Sequence, residues 1–359
     1  MNKCLLITLG CLIVLLSSCA SYKQNIMFST EDYDSLQTPD WVETQYRIEP
    51  YDQLELHVFT GKGEILIDPN MELIDLVIGA EGTLGVTTQL ELLLLPRPQA
   101  VVGLMAFFAD EAALVPFVTR LRALPKAGPL LAAIEFFDPD ALLLLSRQKQ
   151  TNPAFAELPE IPADQAAAVY VELHGAGAED RVLELSEILE DCGGDAACTW
   201  LADTPPELER LKDFRHALPE AVNLIIDERR RSVPGLTKLG TDMSVPDEAL
   251  GRILERYRRD LRSSGLESVM FGHIGANHVH VNILPSTLQD YQQGRRLYEQ
   301  WAAEVVRLGG SVSAEHGIGK LKTSLLRLMY GDGAIEEMRR VIERFNPGQR
   351  LNRGNMIGN

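Results

Sequence analysis

From residue 72 onward, strand-like and helix-like segments alternate along the chain, and this alternation leaves few folds open to it. Residues 101–108 and 131–137 have strand character, and the segment 111–124 between them places apolar side chains at the spacing of one helix face. A second unit of strand, helix and short strand spans residues 169–201. Two such β-α-β units predict an α+β fold in which helices cover a ferredoxin-like antiparallel sheet.

The rest of this region predicts one more strand and further amphipathic helices. The strand covers residues 90–95. Residues 247–262 place five apolar side chains on one helix face: Leu250, Ile253, Leu254, Tyr257 and Leu261. Residues 288–308 and 334–345 predict two more helices, and a polar tail follows them.

Length and charge exclude several classes of protein. The 359 residues fit two domains, since one domain takes about 150 residues. Hydrophobic residues at 45% and charged residues at 24% exclude a wholly disordered, collagen-like or polytopic membrane chain. The 34 Lys and Arg residues against 51 Asp and Glu give a formal charge of −17. Because this charge repels phosphate backbones, we expect no nucleic-acid partner.

The N-terminus has the pattern of a lipoprotein signal peptide over residues 1–18. A cationic start precedes an apolar run at residues 4–16, which is shorter than the roughly 18 residues of a membrane-spanning helix and suits a secretory segment. The run ends in LSSC, which resembles a bacterial lipobox, so we expect acyl chains on Cys19 to anchor the protein to the membrane of the cell envelope. An ordinary signal peptide with an incidental cysteine is the alternative.

Residues 19–71 predict a polar linker and then a short β segment, in which Leu54, Leu56 and Val58 alternate with polar neighbours. The stretch YRIEPYDQL in this segment resembles the opening of polysaccharide-export outer-membrane lipoproteins. That resemblance implies an envelope lipoprotein with a structural or polysaccharide-export role as one alternative function. If this N-terminus does not belong to the native protein, a cytoplasmic or membrane-peripheral location is expected instead.

Cys192 and Cys198 belong to the part of the chain that would remain after removal of the signal peptide, and they lie close together in the sequence. An exported compartment permits a disulfide between them. Their spacing does not establish the approach of the two Cα atoms that a disulfide needs, so two free thiols are an equal alternative.

Three of the seven histidines fall close together in the sequence GHIGANHVHVN. After the turn at Gly275, the strand period of two places His278, His280 and Asn282 on one face and apolar side chains on the other. His273 precedes this turn, so the chain can fold back and bring its imidazole towards His280, as a shared metal requires. Hydrogen-bonded or surface histidines on a strand are the alternative.

The sequence SAEHGIG places Glu315 beside His316 before a glycine pair. Glu315 would complete a set of two histidines and one carboxylate on a divalent cation, and such a set leaves coordination positions open for substrate. His316 would then be free to act as a general base near neutral pH. The alternatives are a helix N-terminal charge for Glu315 and a simple turn residue for His316.

The sequence DLVIGAEGTLGVTT predicts a strand that runs into a loop with Gly79, Gly82 and Gly85. These glycines allow backbone amides to approach an anionic or planar cofactor without interference from a Cβ atom. The loop lacks the lysine of a Walker motif and the GxGxxG order of a dinucleotide-binding fold, so neither of those phosphate sites is expected.

Five stretches together resemble the FAD-linked oxidases of the vanillyl-alcohol-oxidase superfamily: DLVIGAEGTLGVTT, TDMSVP, FGHIGANHVHVNILP, SAEHGIGKLK and FNPGQRLNRGNMI. The resemblance spans residues 72–357 and is nearest to D-lactate dehydrogenases, the flavin subunit of glycolate oxidase and D-2-hydroxyglutarate dehydrogenase. It implies an oxidoreductase that transfers a hydride from C2 of a small 2-hydroxy acid to N5 of FAD. It also implies a divalent metal, Zn²⁺ or Mn²⁺. The choice among the acids, the electron acceptor and the oligomeric state stay open.

The resemblance assigns roles to individual positions. The implied metal ligands are His273, His280 and Glu315. The implied substrate residues are His316 as the base, Arg215 and the weaker candidate Lys238 for the carboxylate, and Asn282 near substrate and flavin. The implied flavin-contacting residues are Gly79, Glu81, Gly82, Thr83, Gly85 and Asn352.

The chain also departs from the family pattern. Where the family reads GHIGDGNxH, this chain reads GHIGANHVH, and Arg353 stands where the family has a proline. We expect residues 72–98 to be a remnant of the FAD-binding domain, 99–330 the substrate and metal domain, and 331–359 a helix and tail that return to the flavin site. Because residues 19–71 cannot build the rest of a flavin domain, activity depends on whether FAD is still held.

Overall fold

The computed structural model describes residues 5–8, 76–87, 89–92, 97–125 and 128–358. Apart from residues 5–8, the expected signal peptide lies outside these residues, and so do the linker and the export-like β segment. Within the described part, no helix combines the length and apolar character needed to cross a membrane. The chain divides into two units, residues 98–338 with 356–358 and residues 1–97 with 339–355 and 359.

Nine strands are assigned among the described residues. In chain order they are β1 (Leu5–Thr8), β2 (Gln89–Leu92), β3 (Val101–Phe108), β4 (Leu130–Phe137), β5 (Ala167–His174), β6 (Trp200–Ala202), β7 (Leu239–Gly240), β8 (Ser268–Gly272) and β9 (His280–Ile283). Strands β1 and β2 pair with each other in the smaller unit. The other seven form one antiparallel sheet in the order β6-β3-β5-β4-β8-β9-β7.

The first four strands of this sheet have the ferredoxin-like order, with the fourth strand beside the first and the third between the first and the second. The predicted α+β fold is therefore confirmed. Strands β8 and β9 extend the sheet as a hairpin, and β7 pairs with the outer side of β9. The hairpin agrees with the fold-back predicted around Gly275, but β7 was not predicted, because its second residue is a glycine and the strand is only two residues long.

Seven α-helices cover the sheet or follow it: α1 (Leu114–Arg122), α2 (Pro139–Thr151), α3 (Ala178–Asp191), α4 (Pro205–Ser232), α5 (Leu250–Ser264), α6 (Leu288–Arg307) and α7 (Thr323–Phe345), as counted over the described ranges. The apolar faces predicted for α1 and α5 are buried. Cys192, at the end of α3, and Cys198 are free thiols, so no disulfide joins them.

Helix α4 was missed in the sequence because prolines stand at its start and at Pro219. A capping box between Thr204 and Glu207 begins the helix, and the first-turn prolines lose no helical hydrogen bond. Phe214 is fully buried, with its ring 5.4 Å from the rings of both Phe137 and Trp200. Loss of such a ring costs about 3–5 kcal/mol, so this contact fixes the face of α4 that carries Arg215.

Candidate metal and substrate site

The turn between β8 and β9 brings His273 and His280 together. Gly272 has a φ of +124°, and a Cβ atom at this position would lie 2.7 Å from Cδ2 of His280. Only glycine therefore leaves room for the second imidazole. The carbonyl of His273 accepts hydrogen bonds from the backbone N–H groups of Ala276 and His278, at 2.9 and 3.1 Å, and closes the turn.

Both imidazoles direct Nε2 to the carboxylate of Glu315. Nε2 of His273 lies 3.2 Å from Oε2, and Nε2 of His280 lies 3.2 Å from Oε1. Nδ1 of His280 is 2.7 Å from the carbonyl oxygen of Thr241, which can only accept, so Nδ1 carries the proton and Nε2 a free electron pair. This is the arrangement of metal-binding histidines, whose second ring nitrogen donates to a carbonyl or a carboxylate.

The structure adds His278 to the same cluster. One ligand atom from each of His273, His278, His280 and Glu315 lies within 4.8 Å of the others. The predicted ligands are thus brought together by the fold, and their role as ligands stays a prediction. The pattern had placed His278 on the polar face with His280 without giving it a function.

Charges shift the pKa values inside this cluster. Hydrogen bonds to Glu135 and then to Glu315 raise the pKa of His273 to about 10. Burial acts to raise the pKa of Glu315, but the hydrogen bond from His273 and the neighbouring imidazoles of His280 and His316 outweigh it and hold that pKa well below its usual range. Glu315 is therefore a carboxylate at neutral pH, which is the form that binds a cation.

A buried carboxylate, Asp242, holds the loop that carries Glu315 and His316. The backbone N–H groups of Glu315 and His316 donate to its oxygens at 3.0 and 3.1 Å. Lys322 Nζ and Ser313 Oγ donate to Oδ2 at 2.6 and 2.8 Å. Although burial opposes ionisation, the nearby imidazole of His278 and the hydrogen bond from Lys322 keep the pKa of Asp242 well below its ordinary value. Asp242 lies in the TDMSVP stretch, but its contact with the loop could not be deduced from spacing.

His316, the predicted base, lies at the more open side of the cluster. Its Nε2 is 3.0 Å from Oε1 of Glu315, and its side chain is 35% exposed. Its ring centroid is 5.4 Å from that of His280. This imidazole is thus the member of the cluster best placed to exchange protons with a bound molecule and with solvent.

Arg215, the predicted carboxylate-binding residue, reaches the cluster through Glu135. Its Nη2 donates to Oε1 of Glu135 at 2.8 Å, and the same oxygen accepts from Nδ1 of His273 at 2.9 Å. The guanidinium also lies over the ring of Tyr170, 5.1 Å from its centroid. Sequence reasoning missed Glu135, although an acidic residue inside the apolar strand LLAAIEFF was a usable signal.

The other two predicted substrate residues lie on neighbouring strands. Asn282 is buried on β9 opposite Gly240, where a Cβ atom would come within 2.9 Å of its Oδ1. Lys238 directly precedes β7. Asp242 pairs with Lys322.

The loop around residues 79–85 and the C-terminal tail contact each other inside the smaller unit. Residues 76–77 are helical where the sequence predicts the end of a strand, because the N–H of Ala80 turns back to the carbonyl of Val77 at 3.1 Å. Asn352 Nδ2 donates to the carbonyl of Glu81, and Asn346 Nδ2 donates to that of Thr83 at 3.0 Å. Gly82 suits this position, because its φ is +69° and a Cβ atom would lie 2.8 Å from the side-chain amide of Asn352.

The residues that depart from the family pattern make their own contacts. Asn277 has a φ of +54°, and its Nδ2 donates to Oδ1 of Asp247 at 2.5 Å. Arg122 donates to the side chain of Asn277 and, at 3.0 Å, to the carbonyl of Ile274. These bonds hold the turn that carries His273 and His278.

Residues 97–356 match the protein family described as FAD linked oxidases, C-terminal domain. The chain belongs to this family. It is 28% identical over 289 residues to "Probable D-lactate dehydrogenase, mitochondrial" of Danio rerio, with 79% of this chain and 54% of that protein covered. It is 26% identical to "Glycolate oxidase subunit GlcD" of Bacillus subtilis, with coverages of 80% and 57%. It is 27% identical to "D-2-hydroxyglutarate dehydrogenase, mitochondrial" of Rattus norvegicus, with coverages of 78% and 49%.

Solved structures share the fold. The substrate-bound crystal structure of p-cresol methylhydroxylase superposes with a TM-score of 0.58 at 13% identity, over 83% of this chain and 59% of that one. The isoeugenol complex of 4-ethylphenol oxidase from Gulosibacter chungangensis superposes with a TM-score of 0.51 at 16% identity, over 77% and 57%. The chain spans about half the length of the curated relatives it matches. The predicted resemblance to FAD-linked oxidases is confirmed, and the resemblance to export lipoproteins stays a prediction.

Proposed function

We propose that this protein oxidises a small 2-hydroxy acid of the D-lactate, glycolate or D-2-hydroxyglutarate class with FAD as the hydride acceptor. The observation that carries the proposal is the convergence of His273, His280 and Glu315, joined through Glu135 to Arg215. The names of the relatives support the substrate class. The carboxylate and the adjacent hydroxyl of such an acid are the groups that a cation and a guanidinium recognise together.

The donor set fits a divalent cation. Nε2 of His280 offers an electron pair, Nε2 of His273 would offer one once a cation displaces its proton, and Glu315 offers a charged carboxylate between them. Zn²⁺ and Mn²⁺ both accept imidazole and carboxylate ligands. A cation held there would supply Lewis-acid polarisation of the substrate oxygens.

Three residues of the chain would bind the substrate, accept its proton and orient it. Arg215 would bind the substrate carboxylate through its paired N–H groups, while Glu135 keeps the guanidinium in place. The His316 imidazole would take the hydroxyl proton, since it is the more exposed imidazole beside Glu315. Buried Asn282 would fix the orientation of the acid from β9.

The loop at residues 79–85 would contribute to holding FAD. Gly79, Glu81 and Gly82 have positive φ angles, and the side chains of Asn346 and Asn352 bond the loop carbonyls. Glycines at these positions let a backbone amide approach an anionic or planar group without interference from a Cβ atom. Bound FAD would accept the hydride from C2 of the acid.

Flavin absorbance tests this proposal in the full chain. The purified protein is reconstituted with FAD and Zn²⁺ or Mn²⁺, and D-lactate, glycolate and D-2-hydroxyglutarate are added without oxygen. We expect one of them to bleach the flavin band near neutral pH, and Arg215→Ala to slow this bleaching at the same flavin content. Bound flavin that none of the three acids bleaches would refute the substrate class, and a colourless protein would refute the cofactor.

We also propose that Cys19 carries the lipid anchor, which the apolar run and the LSSC sequence support. In a bacterial host, incorporation of labelled palmitate should occur in the wild-type chain and be lost in Cys19→Ala. Equal labelling of both chains, or none in either, would refute the anchor.

A further inference from the structure

We infer that His278 is an additional ligand of the metal centre, so that this chain presents three imidazoles and one carboxylate to a single ion. The inference rests on the metal centre of the proposed function and deepens it. The ring of His278 is 4.3 Å from that of His280 and 5.6 Å from that of His273, centroid to centroid. A ligand atom of His278 lies within 4.8 Å of those of the other three residues.

Nε2 of His278 has no hydrogen-bond partner, although the residue is only 3% exposed. Oδ1 of Asp242 is 3.2 Å away, but the two atoms do not have hydrogen-bond geometry. That carboxylate is already engaged by Ser313, Lys322 and backbone N–H groups. A buried polar atom that makes no hydrogen bond is destabilising, and a metal ion beside it would remove that cost.

The backbone fixes His278 in this position. Its N–H donates to the carbonyl of His273 at 3.1 Å, and it forms a β-bridge with Ser244. Asn277, the preceding residue, is tied to Asp247 by its side chain. The third imidazole is therefore held near the other two before any ion binds, which lowers the entropic cost of coordination.

The additional imidazole has a chemical consequence. In the family motif GHIGDGNxH, the position of His278 is an asparagine, whose amide is a poorer ligand for zinc. Three imidazoles and a carboxylate favour Zn²⁺ over Mn²⁺, because imidazole suits zinc and Mn²⁺ prefers oxygen ligands. Four protein ligands would also leave fewer positions for a substrate oxygen than two imidazoles and one carboxylate would.

X-ray absorption of the zinc-loaded full chain counts the imidazoles directly. We expect three in the wild type, two in His278→Asn and three in His216→Asn, which makes the same change at an exposed histidine of α4. Competition with a chelator should show zinc affinity lower by about tenfold or more in His278→Asn. The preference for zinc over manganese should fall with it. His278→Gln gives a second test, and circular dichroism verifies that each variant is folded.

Two imidazoles in the wild type, with equal zinc affinity in His278→Asn, would overturn this inference and leave the two-histidine centre standing. A wild-type chain that binds no zinc would overturn the inference and the proposed metal centre together. Flavin bleaching is measured separately, so failure of the proposed substrate class does not change the imidazole count.

Discussion

Arg215 and His273 are joined through one oxygen atom. Nη2 of the arginine and Nδ1 of the histidine lie 2.8 and 2.9 Å from Oε1 of Glu135. Burial acts to raise the pKa of Glu135, but the hydrogen bond from His273 and the charge of Arg215 outweigh it and lower that pKa. An ionised Glu135 therefore couples the residue proposed for the substrate carboxylate to a residue proposed for the metal.

Glu135→Gln should weaken the hydrogen bonds that Glu135 accepts from Arg215 and from His273. Loss of the charge leaves His273 without its strongest orienting partner, and such changes lower metal affinity by about 10–100-fold. The measurement is zinc affinity by competition with a chelator. Glu209→Gln, on the exposed side of α4, is the control and should bind zinc like the wild type. Unchanged affinity in Glu135→Gln would show that the link does not support the metal centre.

Arg215→Lys should affect the substrate and spare the metal. Lysine retains the charge but cannot form the paired hydrogen bonds of a guanidinium, so we expect kcat/KM for the 2-hydroxy acid to fall by about 10–100-fold, mostly through KM. Zinc content should not change. Arg210→Lys, an exposed position on the same helix, should have wild-type kinetics. Wild-type KM in Arg215→Lys would remove this arginine from the substrate site.

Asp242→Asn should destabilise the loop that carries Glu315 and His316. The change leaves Lys322 without its charged partner in a largely buried position, which costs about 3 kcal/mol. We expect the free energy of unfolding in urea to fall by about that amount and zinc affinity to fall with it. Asp213→Asn, exposed on α4, should change neither quantity. A fully stable Asp242→Asn variant would contradict this role.

Asp138 should make stability depend on pH. It caps α2 by accepting from the N–H of Ala141 at 2.7 Å, and burial raises its pKa well above the ordinary value. The stability gained from its protonated form is complete below the pKa of the unfolded chain, about 4, and is lost as pH rises through the folded pKa.

The variant Asp138→Asn keeps the acceptor and cannot ionise. It should match the wild type in unfolding free energy at pH 4 and exceed it at pH 7. Asp138→Ala loses the cap and should be less stable by about 1 kcal/mol at pH 4 as well. Denaturant unfolding at the two pH values measures this, and a wild type that gains stability relative to Asp138→Asn between pH 4 and 7 would contradict the raised pKa.

The sequence predicts those features that depend on local period. The buried faces of α1 and α5 follow from the helical repeat of apolar residues. The position of His280 and Asn282 on the same face of β9 follows from the strand period of two. Glu135 could not be placed beside His273 in this way, because only the pairing of Phe136 with Gly272 across β4 and β8 brings them together. The hydrophobic repeat within one strand does not determine which distant strand it pairs with or in which register.

The contact between Asp242 and Lys322 is a second one that the sequence could not predict. They are far apart in the chain and meet only because the backbone after β7 runs beside the loop that precedes α7. The sequence indicated the types of residue that a metal and substrate site needs, and the fold supplies the carboxylates that hold them. Helix α4 was missed for a local reason, since its prolines hide a helical repeat that tertiary packing sustains.

Elemental analysis of the purified, dialysed full chain tests the metal centre most directly. The wild type should retain close to one zinc or manganese ion per chain, and the double variant His273→Ala/Glu315→Ala should retain none, because it loses ligands from two different segments. The exposed double variant His216→Ala/Glu299→Ala should retain the wild-type amount. Equal metal content in the wild type and His273→Ala/Glu315→Ala would contradict the account.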